Sequence, residues 1–259
     1  MEVKRLSLEL EGKPYLEFGF GEGPGLSPRA VLSTMELGDM RFDPRSKNPA
    51  REDFFSKLGI DPARILPLSL SHSRRVLAIS SEGEAATLKE RAAAVGGADG
   101  LVVSTMLFIP ALTVADCMPI WLYDSRRKVF GLLHSGWKGT GILKEAVSRL
   151  EAEFSCRPAD ISVILGPSIG SCCYAVPEER ARGFAAEFGE GSIRRAWGAD
   201  GRESLYLDLR EANMKLAESA GIAKIIDVRL CTSCSPHLGS YRRQGAANFT
   251  RMLALCGYF

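Results

Sequence analysis

Cys117 lies between two apolar runs in the stretch TVADCMPIWLYDSRRKVFGLLHSGWKGT, Thr113 to Thr140, which closes on His134 and a glycine-rich loop carrying Lys138. A thiol and an imidazole at the ends of adjacent strands make half of a metal site. The chain has only three histidines, which narrows the search for the other half, and His72 in LSHS completes a His72, Cys117, His134 set. Two neutral imidazoles and one thiolate suit zinc, and three protein ligands leave a fourth position for water or substrate. A metal held this way lowers the pKa of bound water and polarises substrate oxygens. The three residues are far apart in sequence, and two other readings fit them. One is a core cysteine beside two hydrogen-bonded histidines, since cysteine is commonly buried. The other is a cysteine hydrolase, in which a metal-free Cys117 thiolate is activated by His134.

Three further groups bear chemistry. Gly136-Trp137-Lys138-Gly139-Thr140-Gly141 leads from a strand into a helix. Glycines there admit an anion close to the backbone, the helix N-terminus offers amide donors, and Lys138 adds charge. The spacing is not that of a Walker loop, and a tight turn with a packed Trp137 explains the same residues. Cys231-Thr232-Ser233-Cys234, with His237 nearby, reads as a redox dithiol, as a structural metal site that recruits Cys172 or Cys173, or as packing. Ser240-Tyr241-Arg242-Arg243-Gln244 is either solvated surface or a bidentate grip on phosphate or carboxylate. The loop Gly166–Cys173 either lines a pocket or simply turns.

The elements that must position these groups follow from hydrophobic period and punctuation. Apolar runs predict strands over Tyr15–Phe20, Leu66–Leu70, Val76–Ile79, Gly100–Val103, Ile109–Val114, Ile120–Tyr123, Val129–Leu133, Ile161–Leu165 and Ile225–Leu230, and Met252–Leu255 reads as a final strand or short helix. Helical spacing is expected from Pro49 to Leu58, Glu84 to Val95, Pro177 to Phe188 and from an Asp208 cap to Ala220. Another helix, capped by Thr140, turns Ile142, Leu143, Ala146, Val147, Leu150 and Phe154 to one face. Gly19, Gly21, Gly23, Pro24 and Gly25 break the first segment into a loop. Strands joined partly by hairpins and partly by helices favour an α+β single domain, residues 1–259, with mixed β-sheets flanked by helices.

Composition bounds the partners. A net charge of +2 and 25% charged residues give no electrostatic reason to expect nucleic acid or membrane. MEVKRLSLELEGK lacks the apolar core of a signal peptide and no run approaches a membrane span, so cytoplasmic residence is the expectation. Seven cysteines are then expected to be reduced thiols rather than a disulfide framework.

The segments ADCMPIWLYD, GLLHSGWKGT, ILGPSIGSCCYAV, CTSC and SYRR occur in an order and spacing that resembles the YfiH-like laccase-domain family. Its members carry names such as polyphenol oxidase, peptidoglycan-editing factor and purine nucleoside phosphorylase. The resemblance covers roughly residues 60 to 258 and implies an α+β domain with zinc held by His72, Cys117 and His134. It further implies phosphorolysis of purine nucleosides (adenosine, inosine, guanosine, methylthioadenosine), with adenosine deamination as an added activity. The alternatives it carries are a copper-dependent polyphenol oxidase and a peptidoglycan-precursor editing factor. Three histidines are too few for a multicopper oxidase. Asp116, by its adjacency to Cys117, is expected to orient a ligand or pass a proton, and phosphate is expected near Lys138, Gly139 and Arg242. The chain departs from the family where Leu70 replaces a glutamine, Lys138 an arginine and Gln244 an acidic residue, and Gly19–Ser27 lacks an arginine.

Overall fold

The computed structural model describes residues 1–6, 8–21, 27–42, 47–197 and 203–259. In chain order the elements begin with β1 (Glu2–Leu6), β2 (Tyr15–Phe18), β3 (Arg29–Ser33), α1 (Pro49–Lys57), β4 (Ile65–Pro67), β5 (Val76–Ile79), α2 (Glu82–Ala86) and α3 (Leu88–Ala94). The centre of the chain supplies β6 (Gly100–Val103), β7 (Ile109–Val114), β8 (Met118–Asp124), β9 (Val129–Ser135), α4 (Ile142–Phe154) and β10 (Ile161–Leu165). The remainder holds β11 (Ala175–Val176), α5 (Glu178–Phe188), β12 (Ile193–Trp197), β13 (Glu203–Leu207), α6 (Leu209–Ser219), β14 (Lys224–Val228), α7 (Tyr241–Gln244) and β15 (Met252–Gly257).

Strands β8 and β9 are buried along their whole length because both faces of their sheet are covered. Side chains alternate across a strand. Trp121 and Tyr123 of β8 therefore enter one core with Phe130 and Leu132 of β9, while Ile120 and Leu122 enter another with Leu133. The sheet runs β1-β14-β10-β8-β9-β6-β5, with parallel pairs at both ends and antiparallel pairs in the middle. Its first face packs on a five-stranded sheet, β2-β3-β15-β7-β4, through Leu32, Leu112, Val114 and Ala254. Trp121 spans this seam, and its indole N–H donates to the Leu255 carbonyl at 2.8 Å. Truncating such a fully buried aromatic to alanine costs about 3–5 kcal/mol.

The second face of the large sheet carries α4 and α6 through Leu143, Val147, Leu150, Leu209 and Ala212. A small antiparallel sheet, β11-β13-β12, joins the same core. The outer face of the five-stranded sheet is covered by α1 through Phe54 and Phe55. The α+β class with mixed sheets and flanking helices is the one read from the sequence.

Local differences have local causes. The expected helix from Glu84 to Val95 is two, because the Thr87 hydroxyl bonds back to the Gly83 and Glu84 carbonyls between them. Thr140 does not cap α4. Its hydroxyl donates to the Gly136 carbonyl at 2.8 Å, and Gly141, at φ +111°, is the cap. Asp208 does cap α6, accepting from the Glu211 amide at 2.9 Å. The predicted breakers Gly23, Pro24 and Gly25 lie outside the described residues. Among the described residues no helix is long and apolar enough to cross a membrane.

Candidate metal centre

His134 continues the alternation of Phe130 and Leu132 on β9, so it points toward the seam between the two large sheets. Register pairs Met118 with Ser135, and one step further Cys117 comes opposite Gly136. A Cβ at position 136 would lie 2.7 Å from the Cys117 sulfur and 3.7 Å from His72 Cδ2. Glycine there is what lets the thiol and the strand end meet. His72 arrives from the connection between β4 and β5, where the chain crosses from the smaller sheet to the larger. It adopts φ +56°, and Asp116 adopts φ +88°, left-handed conformations that non-glycine residues rarely take. The ligand atoms of His72, Cys117 and His134 lie within 4.8 Å of one another, and the two imidazole rings stand edge to face, 5.0 Å apart at 76°.

Asp99 holds this arrangement, and its only mark in the sequence is a carboxylate at the mouth of the apolar strand β6. It is fully buried. Its Oδ1 accepts from the His72 amide and lies against His134 Nδ1, both at 2.9 Å. Its Oδ2 accepts from the Ser71 and Ser73 amides at 3.1 and 2.7 Å and from their hydroxyls at 3.0 and 2.8 Å. One carboxylate thus fixes the loop carrying His72 and turns His134 so that its Nε2 faces Cys117. Such carboxylate–imidazole pairs are the usual support of a metal-ligating histidine.

The charges follow from these contacts. Burial opposes ionisation of Asp99, yet the bonds from His134 and Ser73 hold it well below the usual carboxylate range. Burial pushes the Cys117 thiol up, but the charge and hydrogen bonds of His134 and His72 outweigh it and bring the thiol to about 6. Burial likewise pushes His134 down, and the Cys117 thiolate and Asp99 carry it up to about 9. A thiolate beside two imidazoles, one braced by a carboxylate, is a donor set that fits zinc.

The three residues lie in the wall of a cavity of about 950 Å³, also lined by Trp137, Tyr174, Arg180 and Arg242. That volume is in the range of small-molecule sites. Arg180 stacks on Trp137 with its guanidinium 4.4 Å from the ring centroid. Arg242 donates to the Ala175 carbonyl at 2.9 Å and lies 5.5 Å from the centroid of Tyr174. Lys138 and Gly139 do not line the cavity. Lys138 is exposed and sits 5.3 Å from the Trp137 centroid, while Gly139 is packed under the Ser73 and His134 carbonyls.

Asp116 borders the cavity, but both of its carboxylate oxygens are engaged. Oδ1 accepts from the Thr232 hydroxyl at 2.6 Å, Oδ2 from the Arg242 amide at 2.7 Å, and its carbonyl accepts from the Ile169 amide at 2.9 Å. Of the departures from the family pattern, Leu70 lines the cavity. Gln244 instead closes its own turn through the Ser240 and Thr250 amides at 2.9 and 3.2 Å. His237 lies apart from the centre, 4.0 Å from a Glu36 carboxylate oxygen.

The chain is similar to known proteins. It is 38% identical over 146 residues to the purine nucleoside phosphorylase LACC1 of Mus musculus, a match covering 53% of this chain and 33% of that protein. It is 31% identical over 189 residues to the adenosine deaminase RL5 of an unknown prokaryotic organism, covering 71% of each. The crystal structure of YlmD from Geobacillus stearothermophilus superposes with a TM-score of 0.79 at 26% identity, over 96% of this chain and 97% of that one. The match thus spans one third of the mouse protein's length. Residues 23–258 match the model of the family described as multi-copper polyphenol oxidoreductase laccase, and the chain belongs to that laccase-like, YfiH-type family.

Proposed function

We propose that the protein is a zinc-dependent purine nucleoside phosphorylase. The observation that carries this reading is the His72, Cys117, His134 set in the wall of a cavity that also presents arginines and aromatic rings. Relatives named purine nucleoside phosphorylase and adenosine deaminase support it. A zinc ion held by these three residues would supply Lewis acidity beside the bound nucleoside.

The chain's own residues do the rest. Trp137 and Tyr174 offer faces on which a purine stacks. Arg180 and Arg242 offer planar donor forks suited to phosphate, and replace Lys138 in that role because Lys138 lies outside the cavity. A phosphate oxygen then bonds to the ribose anomeric carbon as the bond to the purine nitrogen breaks. The products are ribose-1-phosphate and the free base, which takes up a proton. Asp99 fixes His134, and Asp116 acts as a positioning residue that ties the loops bearing Ile169, Thr232 and Arg242 to Cys117. Reduced thiols at this site fit a cytoplasmic protein.

Incubating the protein with adenosine, with and without phosphate, separates the activities. Adenine and ribose-1-phosphate formed only with phosphate support phosphorolysis, and inosine in either case adds deamination. Absence of phosphate-dependent release of the free base from adenosine, inosine, guanosine and methylthioadenosine overturns the proposal. A copper oxidase is the second reading, favoured by the family's description and by the high affinity of such donor sets for copper. With His237 remote from the centre, two histidines remain for it, and oxidation of a phenol by copper-loaded protein at a rate above that of the nucleoside reaction would favour it.

A further inference from the structure

The CxxC and the vicinal cysteines, left without a role by the cavity chemistry, meet in space. The sulfurs of Cys172, Cys173, Cys231 and Cys234 all lie within 4.8 Å of one another, and His237 is not among them. We propose that these four thiols form a second metal centre, a structural zinc tetrathiolate that staples the loop after β10 to the loop after β14.

The geometry favours a metal over a disulfide. Cys234 Sγ stands nearly equidistant from Cys172 Sγ and Cys173 Sγ, at 3.5 and 3.4 Å. A disulfide would select one partner and leave two thiols unused. A tetrahedral zinc with Zn–S bonds of about 2.3 Å needs sulfurs about 3.8 Å apart, close to the spacing present. Two ligands from each of two loops make a closed four-coordinate set, the mark of a structural rather than a catalytic zinc.

The surroundings are built for anionic sulfur. The Gly170 amide donates to Cys231 Sγ at 3.2 Å, and a Cβ on Gly170 would stand 3.2 Å from Cys172 Sγ and 3.4 Å from Cys231 Cβ. The loops are already joined by backbone bonds, Thr232 amide to Ser168 carbonyl at 3.1 Å and Ser168 amide to Leu230 carbonyl at 3.2 Å. Three guanidinium groups brace the carbonyls around the cluster: Arg194 on Ser171 at 2.8 Å, Arg242 on Cys173 at 3.4 Å, and Arg243 on Thr232, Ser233 and Ser235. They offset the net negative charge of zinc with four thiolates. Binding releases the thiol protons to solvent and involves no electron transfer. Both stapled loops end on Asp116, through Ile169 and Thr232, so this centre secures one wall of the cavity.

The test is metal stoichiometry and cobalt spectroscopy on protein purified under reducing conditions. Wild type is expected to hold about two zinc ions per chain, Cys117→Ser about one, and Cys231→Ser/Cys234→Ser about one. Chelated Cys117→Ser protein titrated with Co²⁺ should develop intense sulfur-to-cobalt charge-transfer absorption that saturates at about one equivalent. That arm does not depend on the double variant folding. Loss of all metal from Cys117→Ser with no charge-transfer band overturns the proposal, as does a disulfide among these four cysteines in the reduced preparation. Metal retained by Cys231→Ser/Cys234→Ser reports the His72, Cys117, His134 centre separately.

Discussion

Replacing Asp99 by asparagine keeps the shape of the side chain and removes its capacity to accept on both oxygens. The amide NH₂ must then face one of two sets of donors. Facing the Oδ2 partners, it meets the Ser71 and Ser73 amides, leaving two buried donors unpaired at about 1–3 kcal/mol each. Facing the Oδ1 partners, it meets the His72 amide and His134 Nδ1. One amide is orphaned, at about 1–3 kcal/mol, and His134 can relieve the second clash by shifting its proton to Nε2. The second arrangement costs less, so Asp99→Asn should fold while presenting a protonated Nε2 where the metal must bind. Loss of such a supporting contact weakens metal affinity by about 10–100-fold. The assay is zinc competition against a chromophoric chelator, with Cys117→Ser titrated in parallel to account for zinc held elsewhere. Zinc affinity within twofold of wild type, with an unchanged melting temperature, would refute the role given to Asp99.

Gly136→Ala places a methyl 2.7 Å from the Cys117 sulfur; zinc affinity at this centre should fall about 10-fold or more, checked by the same competition. Arg242→Ala should raise the KM for phosphate well above that of wild type, whereas Lys138→Ala, altering a residue outside the cavity, should leave it within about twofold by steady-state kinetics. In chelated protein, alkylation of Cys117 by iodoacetamide should rise as pH passes about 6, because the thiolate is the nucleophile. Added zinc should suppress that labelling, as followed by peptide mass spectrometry.

Much of this architecture is legible in the sequence. Gly100–Val103 and Ile161–Leu165 are apolar runs bounded by polar or glycine residues, and their limits, like those of the apolar run Ile109–Val114, coincide with β6, β10 and β7. The three proposed ligands were also visible, since histidines are so few. Asp99 was not, because its partner His134 is 35 residues away and only the β6–β9 register brings them together. Strand β12 carries no such signal, since Arg194, Arg195 and Trp197 are exposed and leave no buried alternation to read. The glycine context of Lys138 reads as that of an anion ligand. The turn closed by Thr140 on Gly136 instead places Trp137 in the cavity wall and Lys138 outside it. A metal site joining Cys231 and Cys234 to Cys172 or Cys173 is one of the readings the residues allow, but the loops lie about sixty residues apart, and only the fold brings all four thiols together.

The measurement that bears most directly on the proposed centre is turnover during zinc reconstitution. Chelated protein given adenosine and phosphate should release no adenine, recover activity in proportion to zinc restored, and stay inactive as Cys117→Ser at every zinc level. Full turnover by metal-free wild type, or by Cys117→Ser, would contradict a reaction centred on His72, Cys117 and His134.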